Sequence, residues 1–338
     1  MRWVKSILKW AGIVFAALLV VGAVYQQIGL LLDSHRAPLA SQMVSVEGHE
    51  IHVVCTGQGN RTFLLDAGAG AWSFEWFRLQ PLLAKTGRVC AFDRAGSGWS
   101  DATDTGFDGA SKSRELAAIV AAANIPRPFV YVGHSLGANF AQIYYTQHPG
   151  DIAALVLIEP GMPDDLLEDV HGTRADVMNT SDCTLTCEAA YVASAVGLTR
   201  LVSNLAIGHR TLPPDIRADY VAGLSNATSA AATMKYLQSV PKTAYQDLDV
   251  KSFGDTPVLI FDSTAPRDPE GNETVADVKV WKRKQLAYFT ALAAKSRHGF
   301  GPVHVPSANH TTMVMGETQA EFVAKTIGTF LDGAAAAR

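Results

Sequence analysis

Apolar and polar positions divide the chain into an N-terminal apolar run, a strand–helix region, a polar helical interruption and a second strand–helix region. From Trp10 to Leu32 there are 23 residues without a charged side chain, and about 20 suffice to cross a bilayer as a helix. Gln26, Gln27 and Gly29 weaken the far end of that run. Met43–Glu47 and Ile51–Cys55 alternate around Gly48-His49, the pattern of two antiparallel strands. Arg61–Asp66, Val89–Asp93, Phe129–Val132 and Ala153–Ile158 are short continuous apolar runs, which suit strands buried on both faces. Between them, Ser111–Ala123 and Ala138–His148 carry helical spacing.

Strands alternating with helices predict an α/β architecture: a mostly parallel, eight-stranded sheet flanked by helices. The rhythm stops at Pro160 and resumes at Pro257–Phe261, followed by a helix around Val275–Lys295, a strand near Val303–Val305 and a helix over Glu317–Leu331. The intervening stretch is polar and Ala-rich with no clear strand, and it reads as a helical cap inserted after the sixth strand. The expected organisation is an anchor and linker over 1–40, core over 41–160, cap over 161–250 and core again over 251–338.

Arg2, Lys5 and Lys9 precede the apolar run and Asp33 follows it. Positive charge on the near side places the N-terminus in the cytoplasm and the rest outside, periplasmic or extracellular. A cleaved signal peptide competes with a single-pass anchor, although the run is longer than a usual signal core and Ala37-Pro-Leu-Ala40 is a poor cleavage site. Four cysteines, Cys55, Cys90, Cys183 and Cys187, fit two disulfides in an oxidising compartment. Net charge of −4 with scattered Lys and Arg argues against nucleic-acid binding. No metal-ligand spacing and no phosphate-cradling loop occur, so neither metal nor cofactor is expected. Asn226-Ala-Thr and Asn272-Glu-Thr match glycosylation sequons.

The chemistry is concentrated in Gly133-His134-Ser135-Leu136-Gly137, between an apolar strand and a helix. A Gly-x-Ser-x-Gly in that setting makes a tight elbow that lifts the serine oxygen above the sheet edge. A serine hydroxyl attacks only when a base removes its proton. His310, in a loop between the last strand and the terminal helix, has the placement for that base. His298 is the rival, His304 reads as a packed strand residue, and His134 reads as structural.

These motifs resemble the α/β-hydrolase superfamily from about Met43 onward, and more narrowly its membrane-anchored or exported members. Asp93-Arg-Ala-Gly-Ser-Gly-Trp-Ser-Asp101 looks like the segment after the family's fourth strand, and Leu65-Asp-Ala-Gly-Ala-Gly70 stands at its oxyanion loop. The resemblance implies that the backbone N–H groups of Leu136 and Ala69 hold an oxyanion. It also implies neighbouring second and fourth strands, which makes a Cys55–Cys90 cross-link reasonable; a Cys183–Cys187 pair is suspected on its short spacing. A carboxylate must orient the imidazole, and three stand at strand ends. The common family position offers Asp262 or Asp268; a minority position offers Glu159, which is favoured because Phe261–Asp268 lacks the usual Gly-x-x-Asp form.

The resemblance implies a serine hydrolase acting on a small-molecule or lipid acyl substrate, an ester or alternatively a thioester, lactone or amide. Haloalkane dehalogenases and epoxide hydrolases of this fold carry an aspartate where Ser135 stands. A tethered, catalytically inactive binding protein is the reading from another class. Trp72, Phe74, Trp76 and Phe77 beside the oxyanion loop suit either an apolar pocket or ordinary packing.

Overall fold

The computed structural model describes residues 2–33, 41–103, 105–168, 170–180, 185–207, 212–269, 271 and 273–336. The short apolar runs form the centre of the sheet because each is buried on both faces. The strands are β1 (Ser41–Val46), β2 (His49–Thr56), β3 (Thr62–Asp66), β4 (Arg88–Phe92), β5 (Phe129–His134), β6 (Ile152–Ile158), β7 (Val258–Ser263) and β8 (Gly299–Val305). They make one eight-stranded sheet in the order β1-β2-β4-β3-β5-β6-β7-β8. β1–β2 and β2–β4 pair antiparallel, and every later pair is parallel.

Helices cover both faces. Before β6 come α1 (Arg2–Asp33), which lies outside the core, and α2 (Leu79–Leu83), α3 (Gly109–Ala122) and α4 (Leu136–Gln147), which cover the sheet. Between β6 and β7 come α5 (Pro163–Leu166), α6 (Arg174–Met178), α7 (Leu185–Ala195), α8 (Leu198–Ile207), α9 (Pro214–Ser225) and α10 (Ala227–Leu248). The chain then closes with α11 (Val275–Ala293), α12 (Thr312–Met315) and α13 (Glu317–Ala336). Leu116 and Ile119 of α3, Tyr144 of α4 and Phe289 of α11 pack on one face of the sheet. Leu79 and Leu83 of α2, with Val323 and Ile327 of α13, pack on the other. The segment between β6 and β7 contains helices and no strand among the described residues, as the interrupted pattern predicted.

Register sets up the functional edge. Asp66 lies opposite Gly133, His134 opposite Ile158, Ile158 opposite Phe261, and Ser263 opposite Val305. The carboxyl ends of five parallel strands are therefore level, and their following loops converge, which is where open α/β sheets bind ligands. At the other margin Cys55 faces Cys90 across the β2–β4 pair, and the two form a disulfide with Cα atoms 4.1 Å apart. Cys183 lies outside the described residues, and with it the suspected Cys183–Cys187 pair.

Helix α1 is exposed over most of its length but buries one face at its C-terminal end, where Gly22, Gln26, Gly29 and Asp33 recur every three or four residues. Arg200 of α8 donates to Gln26 Oε1 at 3.0 Å and to Asp33 Oδ2 at 2.6 Å, and Gln26 Nε2 donates to Ser225 O of α9 at 2.6 Å. A Cβ on Gly22 would strike the carbonyl of Val196. Gln26 and Gly29, which interrupt the apolar pattern, are thus the docking face.

Candidate active site

The strand-to-helix elbow is built by its glycines. Ser135 sits at φ 52° and ψ −121°, between the end of β5 and the start of α4. Holding a non-glycine residue there costs on the order of 1–3 kcal/mol, a strain typical of functional positions. A Cβ on Gly133 would come within 2.6 Å of Ala138 N, and one on Gly137 within 2.6 Å of Ala67 O, so neither position admits a side chain. The amide of Ser135 donates to Ile158 O at 2.9 Å, fixing the turn to β6. The hydroxyl is left at the N-terminus of α4, where the helix dipole favours developing negative charge.

Glu159 follows β6 directly and is itself at φ 47°. Its Oε2 lies 2.7 Å from His310 Nδ1, while Oε1 accepts from Ser263 Oγ at 2.5 Å and from Ser263 N at 3.3 Å. Burial would raise the pKa of this carboxyl, but the hydrogen bond and charge of His310, the Ser263 hydroxyl and the Lys282 ammonium outweigh it, and the net effect is a fall to about 2. Glu159 is therefore an anion that holds one imidazole nitrogen and leaves Nε2 of His310 without a hydrogen bond among the described residues. Ser135, Glu159 and His310 line one cavity of about 690 Å³. Ser135 Oγ makes no hydrogen bond among the described residues; such contacts commonly tighten only when substrate is bound.

The other two carboxylates are placed elsewhere. Asp262 is buried and receives Lys282 Nζ at 2.6 Å and His304 Nδ1 at 2.9 Å, so both its oxygens are taken. Asp268 is exposed and makes no bond to His310 among the described residues. The expectation that His304 is packed needs correction: it lies on β8, but its side chain is 54% exposed and only its Nδ1 is engaged, by Asp262. A strand at the sheet margin has one face open, which the apolar pattern around it concealed. His298 precedes β8 at the opposite end of the strands from Ser135.

The loop after β3 is gripped from beneath. Arg94 is buried and donates to Asp66 Oδ1 at 2.5 Å, to Ala67 O at 2.7 Å and to Gly68 O at 2.5 Å. Burial raises the Asp66 carboxyl, partly opposed by Arg94 and by the Tyr131 hydroxyl 2.8 Å away. Gly68 N donates to Glu75 Oε2 at 2.9 Å, and a Cβ on Gly68 would lie 3.3 Å from that of Ser135. Ala69 is exposed.

His134 does more than fill the elbow. Its Nδ1 is 2.8 Å from Glu75 Oε1, its Nε2 is 3.0 Å from the carbonyl of His310, and the two imidazoles stack with centroids 4.6 Å apart. A carboxylate and a carbonyl both accept, so His134 must donate from both nitrogens as an imidazolium. Electrostatics agree: burial pulls His134 down, but the charge and hydrogen bond of Glu75, the charge of Glu159 and the His310 carbonyl together raise it. His134, Gly68 N and the charge of His310 together hold Glu75 below the usual carboxylate range against its own burial. Sequence reasoning missed Glu75; the available signal was a lone carboxylate within the aromatic stretch Trp72–Phe77.

Those aromatic residues are packing. Trp72 and Trp76 are buried, and Trp72 and Phe74 lie against Tyr220 of α9 at 5.9 and 4.7 Å. The cavity is lined instead by Met162, Leu166, Val275, Val278 and Trp281, with Trp281 Nε1 donating to Asp165 at 2.6 Å across its mouth. Of the two sequons, Asn226 caps α10 by accepting from Thr228 N at 3.0 Å, and Asn272 lies outside the described residues. Among the described residues no cluster of His, Cys, Asp and Glu could hold a metal.

A mostly parallel eight-stranded sheet with a serine elbow after β5 and a histidine loop after β8 defines a class, and the chain has the α/β-hydrolase fold. Residues 62–181 match the family model described as alpha/beta hydrolase fold. An uncharacterised protein of Bacillus subtilis, YbdG, is 25% identical over 171 residues, covering 48% of this chain and 52% of that protein. The chain thus spans about half the length of that curated relative. Among solved structures, a haloalkane dehalogenase variant from Bradyrhizobium elkanii superposes with a TM-score of 0.63 at 18% identity, covering 88% of this chain and 97% of that one. A bacterial membrane phospholipase A gives 0.57 at 19% identity, covering 98% of each chain. At such identities the structural likeness is one of fold.

Proposed function

We propose that the protein is a serine hydrolase that cleaves an ester-type acyl substrate through an acyl-enzyme. Ser135 is the nucleophile, His310 the base and Glu159 the acid. The observation that carries this reading is the Glu159–His310 hydrogen bond of 2.7 Å inside the cavity that Ser135 also lines. His310 Nε2 takes the proton of Ser135 Oγ as that oxygen bonds to the substrate's carbonyl carbon. The resulting oxyanion is held by the backbone N–H groups of Leu136 and Ala69, each such donor contributing about 3–4 kcal/mol to the transition state. The imidazolium then gives its proton to the leaving oxygen as the acyl bond to it breaks. Water, deprotonated by the same nitrogen, releases the acyl group as a carboxylic acid.

Serine at the elbow favours acyl transfer over the alkyl chemistry of the dehalogenases and epoxide hydrolases that share the fold. The same reading makes residues 161–250 a cap over the cavity. It also makes α1, whose apolar span has a mean hydropathy of 2.3, a single-pass anchor with a cytoplasmic N-terminus and an external catalytic domain.

The test is labelling by a serine-reactive fluorophosphonate together with turnover of chromogenic esters of graded acyl length. The wild type should label and turn over, and Ser135→Ala should do neither while staying folded. A wild type that does neither would instead favour a tethered binding protein on this fold.

A further inference from the structure

Helices α7 and α8 meet at a bend of 80° and turn a row of large apolar side chains outward. On α8 these are Leu198, Leu201, Val202 and Leu205, each at least half exposed, at the spacing of one helical face. Tyr191 and Val192 continue the patch on α7, exposed by 48% and 57%. The opposite side of α8 is polar, and Arg200 and Ser203 on it are buried: Arg200 is clasped by Gln26 and Asp33, while the exposed Asn204 donates from Nδ2 to the Tyr25 hydroxyl at 3.2 Å. An apolar face pointing out and a polar face pointing in is the reverse of what water selects.

The position of the bend along α1 explains the inversion. Gly22 and Gly197 are in backbone contact, since a Cβ on either would strike the backbone of the other segment. Glycine is required there because only it lets two backbones approach so closely, as at helix crossings in lipid. Gly22 stands 11 residues before Asp33, which is about 16 Å of helix, well inside the uncharged run. Whatever touches α1 at Gly22 lies at the depth of that run. Arg200, the one cation of α8, is buried and neutralised by Asp33 toward the end of that run, so α8 carries no unpaired charge into it.

We propose that the α7–α8 bend is seated in the acyl-chain region of the bilayer spanned by α1, as a second membrane contact of the protein. This rests on the reading of α1 as an anchor. The exposed patch is continuous with the lipid-facing surface of α1, and hydrocarbon is the occupant that both share. Helix α9 then lies between this contact and the residue 67–70 loop, with Ser225 accepting from Gln26 at one end and Tyr220 stacked on Trp72 further along. Lipid thereby bears on the position of α9 against Trp72 and Phe74.

The full-length chain in phosphatidylcholine vesicles provides the test, with Leu201→Trp and Leu205→Trp made singly. The emission that each added tryptophan contributes should fall by about half or more when phosphatidylcholine carrying a mid-chain nitroxide is included, and aqueous iodide should leave it unchanged. Leu248→Trp, on the exposed end of α10, should show the opposite pattern. Iodide quenching at positions 201 and 205 overturns the proposal, as does protection from both quenchers in a chain that sediments as a dimer. Alkaline carbonate extraction separates the two readings. A wild-type chain released from the vesicles overturns the anchor and this proposal together, whereas a retained chain with iodide-quenched tryptophans overturns the proposal alone.

Discussion

Glu75 and His134, 59 residues apart in sequence, form a buried pair with Oε1 2.8 Å from Nδ1. The pair joins two loops. The second oxygen of Glu75 receives Gly68 N, and the second nitrogen of His134 reaches the carbonyl of His310. The loop after β3 and the loop that carries His310 are therefore joined through one buried salt link.

Replacing Glu75 by Gln should destabilise the fold by about 3 kcal/mol, the usual cost of leaving one partner of a buried pair without its counter-charge. The sign of the pH dependence follows from the two shifts. Glu75 is depressed, so its contribution is present above its unfolded pKa near 4.5 and disappears as pH falls. His134 is raised, so its contribution is complete below 6.5 and is lost as pH climbs past its folded value. Urea melts of wild type and variant should differ most between about pH 5 and 6.5. A difference that stays constant from pH 4 to 9 would show that the pair is not ionic.

Among the three carboxylates, only Glu159 touches His310. Glu159→Gln should lower kcat by about 10⁴-fold in a chain that still folds, as loss of the orienting carboxylate does in serine proteases. It should also cost stability at neutral pH, because the ionised carboxylate is the favoured form. Asp268→Asn should leave turnover near wild type, and Asp262→Asn should act mainly on stability through Lys282 and His304. Because Glu159 is held at about 2, it stays ionised above pH 4.5, and its share of stability is lost only as pH falls from there toward 2. Glu159 should consequently contribute nothing to the acid limb of kcat/KM above pH 5. A Gln variant with wild-type turnover sinks the assignment.

Arg94 holds the carbonyls of Ala67 and Gly68 and the carboxylate of Asp66 together. Arg94→Lys keeps the charge but replaces a planar fork by a point donor. The loop should loosen, and kcat should fall about tenfold to a hundredfold with KM changed much less. Steady-state kinetics on a chromogenic ester checks this, and an unchanged kcat counts against the loop's role.

The Cys55–Cys90 bond closes a loop with a sequence separation of 35. In the chain-entropy treatment its removal costs about 4 kcal/mol. Paired serine substitutions should lower the melting temperature markedly while ester turnover at 25 °C persists, because the bond lies two strands away from β5. Equal melting temperatures would argue that strain in the folded state cancels the gain.

How much was legible in sequence follows from how local each signal is. Strands β3, β5, β6 and β7 are continuous apolar runs, and Ser135 is announced by glycines at positions −2 and +2, so both could be read directly. Glu159 could be proposed but not separated from Asp262 and Asp268, because each follows or closely follows a strand. What separates them is which oxygen atoms are already occupied, by Lys282 and His304 for Asp262, and that is a property of packing. Glu75 and the second role of His134 depend on a contact between segments 59 residues apart, which one chain alone does not display. The exposure of His304 was misread for a related reason: alternation along a marginal strand does not say which face is covered.

The seam between α1 and the helices that follow β6 bears on how the catalytic part can be handled. Gly22, Gln26, Gly29 and Asp33 interlock with Val196, Arg200 and Ser225, so the C-terminal turns of α1 are packed into the fold. A trimmed form starting at Ser41 would surrender both counter-groups of Arg200 and uncover an oily flank. The full chain, rather than a fragment starting at Ser41, is the form in which the partners of Arg200 are preserved.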